Sequence, residues 1–152
     1  MTKYILAFLA FIIAGVIIII LLSSGGLLAK KATATFGSQK VTLEVADSEK
    51  AREKGLSERA TLADNQGMLF LFDEPGIPAF WMKGMKFPID IIFLNKNKIV
   101  TIFKNVSPPR TTSEIPTNYY QPSYPSDRVV ELKAGASDKY NLHTGDSINL
   151  SL

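Results

Sequence analysis

A long apolar run near the N-terminus constrains this chain more than any other feature. The residues from Ile5 to Leu22 include no charged and no strongly polar side chain. At about 1.5 Å of rise per residue, a helix over this run covers roughly 27 Å, close to the hydrocarbon thickness of a bilayer. A buried helix of a soluble protein is rarely so uniform. The run therefore predicts a single transmembrane helix that anchors the rest of the chain.

A cleaved signal peptide is the alternative interpretation of the same segment. Such peptides have an apolar region of about 7–15 residues and then a cleavage site with small residues. This run is longer, although Ala32-Thr33-Ala34 does fit the small-x-small pattern. We favour an uncleaved signal anchor. Residues 1–35 are then the anchor and its linker, and residues 36–152 form one soluble domain.

Charge alone does not fix the orientation of this anchor. The cytoplasmic side of a membrane protein usually carries the excess of Lys and Arg. Lys3 and the terminal amine precede the run, whereas Lys30, Lys31 and Lys40 come after it, which favours a cytoplasmic domain. A short N-terminal tail before the apolar run is, however, the usual layout for export. We therefore expect a single-pass protein of the cell membrane with an extracytoplasmic domain.

The domain after the anchor is small and electrically balanced. Roughly 115 residues suffice for one core and are too few for two. Three of the 17 Lys and Arg residues precede Lys40, which leaves 14 against 14 Asp and Glu. No basic stripe is available for a phosphate backbone, so we expect no nucleic-acid partner. The chain has no Cys, which excludes disulfides, thiol catalysis and thiolate metal sites.

Alternation of apolar and polar residues predicts a mainly β domain. Val41 to Val45 alternates as a half-buried strand, and Arg128 to Leu132 does so again. Further strands are predicted over residues 67–72, 80–83, 89–94, 99–103 and 147–152. Short helices are expected between Asp47-Ser48 and Gly55, and again over residues 136–142. The pattern favours a compact antiparallel β-sandwich or a partly open barrel with two short helices, preceded by the transmembrane helix.

The order of motifs in this domain resembles the domain-of-unknown-function 192 family. The matching segments are Gly67-Met68-Leu69-Phe70, Phe80-Trp81-Met82-Lys83, Pro88-Ile89-Asp90-Ile91-Ile92-Phe93 and Val130-Glu131-Leu132-Lys133-Ala134-Gly135. The resemblance spans roughly residues 40–152 and implies a compact, mainly β fold, often exported or anchored in bacteria and archaea. No agreed activity comes with it. The chain departs from the family pattern at Gly84-Met85, where Asn-Thr is common, and lacks the Cys that many relatives carry in the Pro- and Tyr-rich loop.

Asp90 is the charged residue that the strand pattern is expected to bury. It alternates with the apolar residues of the predicted strand 89–94. An unpaired buried carboxylate is unfavourable, so Asp90 needs hydrogen-bond donors. A structural role would have it accept amide N–H groups from the 84–88 connection, or pair with Lys83 or Lys86. The functional alternative is a perturbed carboxylate in a cleft.

Six side chains are candidates for binding a ligand: Trp81, Lys83, Asp90, Tyr119, Tyr120 and Tyr124. Trp81 either forms an aromatic platform or fills the core. The three tyrosines lie in an irregular, proline-rich stretch over residues 105–127. Loops of this length are usually functional or disordered. The tyrosines therefore either present a carbohydrate- or peptide-binding surface or pack back on the sheet.

No motif in the sequence identifies an enzyme. His143 is the only histidine, too few for an ordinary zinc site without Cys, and no nucleophile-elbow sequence is present. We predict no metal, no cofactor and no catalytic residue. A non-enzymatic binding or interaction module of the envelope is favoured, with a glycan or an envelope protein as partner.

A carboxylate-dependent hydrolase of envelope or extracellular glycans is the alternative function. Such enzymes need two carboxyl groups that converge in one cleft. The available carboxylic acids are Glu44, Asp73, Glu74, Asp90 and Glu131. The sequence does not tell whether any two of them converge.

Overall fold

The computed structural model describes residues 30–152. The predicted transmembrane run 5–22 lies outside the described residues. No helix within residues 30–152 is long and apolar enough to cross a membrane. The elements of this part are β1 (Lys31–Phe36), β2 (Gln39–Ala46), α1 (Glu49–Lys54), β3 (Gln66–Gly76), β4 (Ile89–Asn95), β5 (Lys98–Val106), β6 (Ser126–Lys133), α2 (Ala136–Lys139) and β7 (Asn149–Ser151).

Strands β1 to β7 belong to a single sheet of order β5-β4-β6-β3-β2-β1-β7. Strands β2 and β3 pair in parallel, and the other neighbouring strands pair antiparallel. A parallel pair requires a crossover connection, and here residues 47–65, which include α1, provide it. The mainly β prediction is confirmed. The prediction of a two-sheet sandwich is wrong, because all seven strands belong to one sheet. This sheet curls into a half-barrel, which is close to the alternative prediction of a partly open barrel.

The curl of the sheet brings its two edges together at one end. Strands β5 and β7 are the edge strands. Ile99 donates its amide to the carbonyl of Asp146 at 2.8 Å and accepts the amide of Gly145 at 2.9 Å. Ile148 donates in turn to the carbonyl of Asn97 at 2.9 Å. The chain just before β7 is thus bonded to the start of β5, which partly closes the barrel.

Each face of the sheet has its own apolar core. One face, called the α2 face here, carries Leu69, Ile92, Val130 and Leu132, together with Ala136 of α2. The other, called the crossover face, carries Met68, Phe70, Ile91, Phe93 and Val129, together with Leu56 and Leu62 of the crossover. Since side chains alternate along a strand, consecutive residues of β4 and β6 enter different cores.

The first helix begins and ends as its sequence predicts. The Ser48 hydroxyl accepts the amide of Ala51 at 3.3 Å, and Gly55 follows the last turn with φ of 49°. A Cβ atom at Gly55 would lie 3.4 Å from the ring of Phe70. The turn after α1 therefore presses closely against the crossover face.

Two segments differ from the predictions. The sequence predicts a linker over residues 31–35, whereas these residues form most of β1, which lies between β2 and β7. The predicted strand 80–83 is wrong, because only Phe80 pairs, exchanging hydrogen bonds of 2.8 and 2.9 Å with Tyr120. The chain then turns at Gly84, whose φ of 70° favours glycine. The apolar run Phe80-Trp81-Met82 reflects burial without a neighbouring strand.

Candidate functional site

Asp90 lies on the α2 face and is completely buried. Its Oδ1 accepts the amides of Asn105 at 2.8 Å and Gly135 at 3.2 Å, and its Oδ2 accepts the amide of Ser137 at 2.7 Å. The prediction of backbone donors is confirmed, but none of them comes from the 84–88 connection. Two of the donors are at the start of α2. Asp90, which lies on strand β4, therefore takes the place of an N-cap side chain for this helix.

Glu131 is the second buried carboxylic acid, and it lies on the crossover face. It is directly opposite Met68 on β3 and Ile91 on β4. Only 5% of its surface is exposed. No side chain or amide within residues 30–152 forms a hydrogen bond or an ion pair with its carboxyl group. The group is therefore buried among apolar neighbours, and residues 30–152 provide no partner for it.

Burial sets the protonation state of this group. Removing a carboxylate from water disfavours its charged form, and this raises the pKa of Glu131 from 4.5 to about 8. At neutral pH the group is then mostly a neutral carboxylic acid. Such an acid can both donate a hydrogen bond through its O–H and accept one through its carbonyl oxygen.

Glu131 lines a cavity of about 360 Å³ on the crossover face, here called the Glu131 cavity. This volume is within the range of small-molecule sites. Its apolar walls are Leu56, Phe70, Phe72, Pro78, Ala79, Phe80, Trp81 and Met85. The rings of Phe70 and Phe80 meet edge to face with centroids 4.9 Å apart. The cavity thus combines aromatic walls with one neutral, hydrogen-bonding acid.

Arg52 of α1 is a fixed cation that lines this cavity. Its Nη1 donates to the carbonyls of Asp47 at 3.1 Å and Leu71 at 2.8 Å. Its guanidinium carbon lies 5.1 Å from the ring centroid of Phe72. Backbone carbonyls and an aromatic face therefore hold the guanidinium in place, and its charge is not neutralised by a paired carboxylate within residues 30–152.

Trp81 and Lys83 lie together at the rim of the cavity. The Lys83 ammonium is 5.2 Å from the Trp81 ring centroid. Tyr119 stacks on the same indole with centroids 5.9 Å apart and ring planes at 22°. Three of the predicted ligand-binding residues, Trp81, Lys83 and Tyr119, are therefore neighbours at this rim.

The other three candidates lie elsewhere. Tyr120 packs its ring against Phe103 at 5.3 Å and belongs to the crossover core. Tyr124 is 66% exposed and makes no ring contact within residues 30–152. Asp90 is on the opposite side of the sheet. The structure therefore does not bring the three tyrosines, or Asp90 and Trp81, into one surface.

The part of the chain that the structure describes contains no group of three or more His, Asp or Glu side chains that could hold a metal. His143 lies in an exposed turn, where its amide donates to the carboxylate of Asp146 at 2.8 Å. Sequence reasoning missed Arg52 as a site residue, and it named Glu131 only as one of five carboxylic acids available to a hydrolase. The signal in the sequence was the consecutive apolar pair Val129-Val130, which indicates that both faces of β6 are buried and places Glu131 on the face of Val129.

The residues 31–150 match the family named domain of unknown function 192, which is described as an uncharacterised group of conserved proteins. The chain belongs to the domain-of-unknown-function 192 family. The match begins where β1 begins and ends within β7, so the family domain and the half-barrel coincide. No curated protein is detectably similar to the chain.

Two crystal structures are similar to this domain-of-unknown-function 192 protein. One is a candidate transcription regulator from Sinorhizobium meliloti 1021, with 28% identity and a TM-score of 0.69, covering 80% of this chain and 93% of that one. The other is a protein of unknown function from Novosphingobium aromaticivorans DSM 12444, with 28% identity and a TM-score of 0.68, covering 82% and 86%. The half-barrel is therefore an architecture found in solved structures.

Proposed function

We propose that the half-barrel is a non-enzymatic binding module whose ligand enters the Glu131 cavity. The observation that carries the proposal is a buried carboxyl group that has no partner within residues 30–152 and faces a cavity of small-molecule size. Of the three acids that line the cavity, only Glu131 is buried, and a few such polar groups fix the orientation of the ligand in small-molecule sites. A ligand that bonds to Glu131 supplies the missing partner and so explains why an acid is placed there.

The walls of the cavity add the second requirement on the ligand. Phe70, Phe72 and Phe80 present rings to the space beside Glu131. Burying apolar area against such rings supplies most of the affinity in small-molecule sites, while a few polar groups fix the orientation. The proposed ligand therefore has a flat apolar body and at least one hydrogen-bonding group.

The membrane context is part of the same proposal. The apolar run 5–22 would hold the module at the cell membrane, with the half-barrel on the extracytoplasmic side. Alkaline carbonate should leave the full chain in the membrane fraction and release a chain that starts at Lys30. A protease added outside spheroplasts should cleave the half-barrel, and complete protection would contradict the extracytoplasmic orientation.

Blocking the cavity tests the binding function directly. A screen of small metabolites against the full chain, held in lipid nanodiscs, should yield ligands that raise its melting temperature. Ala79 is exposed and lines the cavity, so Ala79→Trp should fill the space and abolish that shift. Ile77 is 49% exposed and does not line the cavity, which makes Ile77→Trp the matched control. Ligands that bind A79W as well as they bind the unaltered chain would contradict the proposal.

A glycan hydrolase is the second candidate function, and one observation favours it. Glycosidases use a carboxylic acid with a raised pKa as general acid, together with a second carboxylate nearby. Glu131 has the raised pKa, and Glu49 and Glu53 line the same cavity. Incubation of the full chain with envelope and extracellular glycans distinguishes the two functions. Turnover that is lost in Glu131→Gln would favour the hydrolase.

A further inference from the structure

We infer that the ligand of the Glu131 cavity is a small organic anion. Its flat apolar body would lie between the aromatic walls, and its negative group would bind Arg52 and the lysines at the cavity mouth. This inference rests on the proposed binding function and adds the charge of the ligand to it.

The Arg52 guanidinium is only partly satisfied by the protein. Its two acceptors are both backbone carbonyls reached by Nη1. No acceptor within residues 30–152 is bonded to Nε or Nη2, and no carboxylate of that part pairs with the group. Guanidinium recognises carboxylate and phosphate through two parallel N–H donors. Arg52 is thus held in place with donors unused at a cavity wall.

Cations outnumber acids around the mouth of the cavity. A neighbouring cavity of about 800 Å³ shares Glu53, Lys54, Ser57, Trp81 and Lys83 with the first. Together the two cavities are lined by five cations, namely Lys50, Arg52, Lys54, Lys83 and Lys86. Glu49, Glu53 and Glu58 are the acids at their rims. None of these lysines forms an ion pair with a carboxylate in the described part of the chain, so the mouth is net positive within an otherwise balanced domain.

Glu131 is compatible with a bound anion in its neutral form. A neutral carboxylic acid donates a hydrogen bond and does not repel an anion, whereas its ionised form repels one. The strand neighbours of Glu131, Met68 and Ile91, carry no charge. The charged groups that line the same cavity are Glu49, Arg52, Glu53, Lys54 and Lys83. Ionisation of Glu131 would therefore weaken the binding of an anion beside it.

Three probes that differ mainly in charge test the inference: phenylacetate, phenylacetamide and phenethylamine. Their dissociation constants would be measured by calorimetry at pH 6.5 with the full chain in phosphatidylcholine nanodiscs, and empty nanodiscs would serve as the blank. We expect phenylacetate to bind at least about tenfold more tightly than the amide, since charge-assisted hydrogen bonds are the stronger ones. The amine should bind most weakly of the three.

Variants assign this preference to particular residues. Arg52→Gln and Lys83→Gln should each weaken phenylacetate binding, Arg52→Gln by about tenfold or more, and leave phenylacetamide nearly unchanged. Lys98 is exposed and lines neither cavity, so Lys98→Gln is the matched control. Lys83 makes no backbone hydrogen bond through its side chain within residues 30–152, and Lys83→Gln therefore keeps the test decisive if Arg52→Gln unfolds.

The pH dependence of binding is the readout that a purely structural Glu131 would not produce. Phenylacetate affinity should fall about tenfold between pH 6.5 and pH 9.5 as Glu131 ionises, whereas Glu131→Gln should show a flat profile.

If the amide or the amine binds as tightly as phenylacetate, the inference is wrong and the binding module stands. If phenylacetate binds and neither Arg52→Gln nor Lys83→Gln weakens it, the inference is also wrong. If none of the probes binds and the metabolite screen yields nothing, both proposals fail.

Discussion

Asp90 and Glu131 are two buried acids on adjacent strands of one sheet, and they differ in almost everything else. Asp90 faces the α2 core and accepts three backbone amides at 2.7–3.2 Å. Glu131 faces the crossover core, bonds to nothing within residues 30–152 and borders a cavity. A carboxylate that receives three amides is a structural acceptor. Glu131 accepts no amide within residues 30–152, and we propose that its partner is the ligand of the Glu131 cavity.

The pH dependence of unfolding should show the largest difference between the two acids. Burial raises the pKa of Glu131 from 4.5 to about 8, so in that interval the folded chain holds a proton that the unfolded chain has lost. The free energy of unfolding therefore falls as the pH rises through this interval, by up to about 5 kcal/mol at about 1.4 kcal/mol per pKa unit. Urea unfolding of a chain starting at Lys30 measures it. The stability of Glu131→Gln relative to the unaltered chain should rise with pH, and a pH-independent difference would refute this account of Glu131.

Removal of the Asp90 carboxylate should have the next largest effect. Asp90→Ala leaves the amides of Asn105, Gly135 and Ser137 buried without an acceptor, which should cost roughly 2–4 kcal/mol in unfolding free energy. Asp138→Ala is the control, because Asp138 is 62% exposed and its pair with Lys104 lies in solvent; it should cost less than about 1 kcal/mol. Equal losses for the two variants in urea melts would show that the three amides find other partners.

Isosteric amides sharpen the comparison at pH 4.5. At that pH the unfolded chain still holds the Glu131 proton about half of the time, so proton linkage contributes only about 0.4 kcal/mol and Glu131→Gln should change stability by less than about 1 kcal/mol. Asp90→Asn loses one acceptor oxygen and turns an NH₂ group towards amide donors, at a cost of about 1–3 kcal/mol. Thermal melts of both variants decide the matter. A larger loss for Glu131→Gln would mean that Glu131, too, is a structural acceptor.

Loss of the Tyr119 ring should have the smallest effect. Tyr119 stacks on Trp81 at the rim, and such stacking is worth about 0.5–1.5 kcal/mol, so Tyr119→Ala should weaken phenylacetate binding by no more than about tenfold. Tyr124→Ala should leave binding unchanged, since Tyr124 contacts no ring of the cavity. Calorimetry measures both variants. If Tyr124→Ala had the larger effect, the binding site would lie away from the crossover face.

The sequence was sufficient for most of the strands, because residues such as Val41 to Val45 alternate by burial and burial follows the strand period. It was not sufficient for β1, whose Lys31 to Phe36 run is short and begins with charged Lys31, directly after the segment that resembles a linker. It also misled over Phe80 to Lys83, where an apolar run lies in a segment that pairs at one residue only.

The site was less predictable than the fold for a definite physical reason. The donors to Asp90 are 15, 45 and 47 residues away in sequence, and no local pattern encodes such distances. Glu131 was visible as an acid on the same face of β6 as Val129, but whether it met a donor or a cavity depended on the crossover that covers that face. Arg52 was visible as a residue of the predicted first helix, but its role was not. One of the two carbonyls that hold its guanidinium belongs to Leu71 on β3, which is distant in sequence.

The single parallel pair of the sheet has a consequence for how relatives of this chain could diverge. Because β2 and β3 run in the same direction, the intervening residues must return from the end of β2 to the start of β3. This path places Arg52, Lys54 and Leu56 around the cavity. The floor belongs to central strands, whereas much of the mouth belongs to a connection. Changes of length or charge in residues 47–65 could therefore alter the proposed ligand preference while leaving the strand register intact, so this preference can evolve separately from the fold.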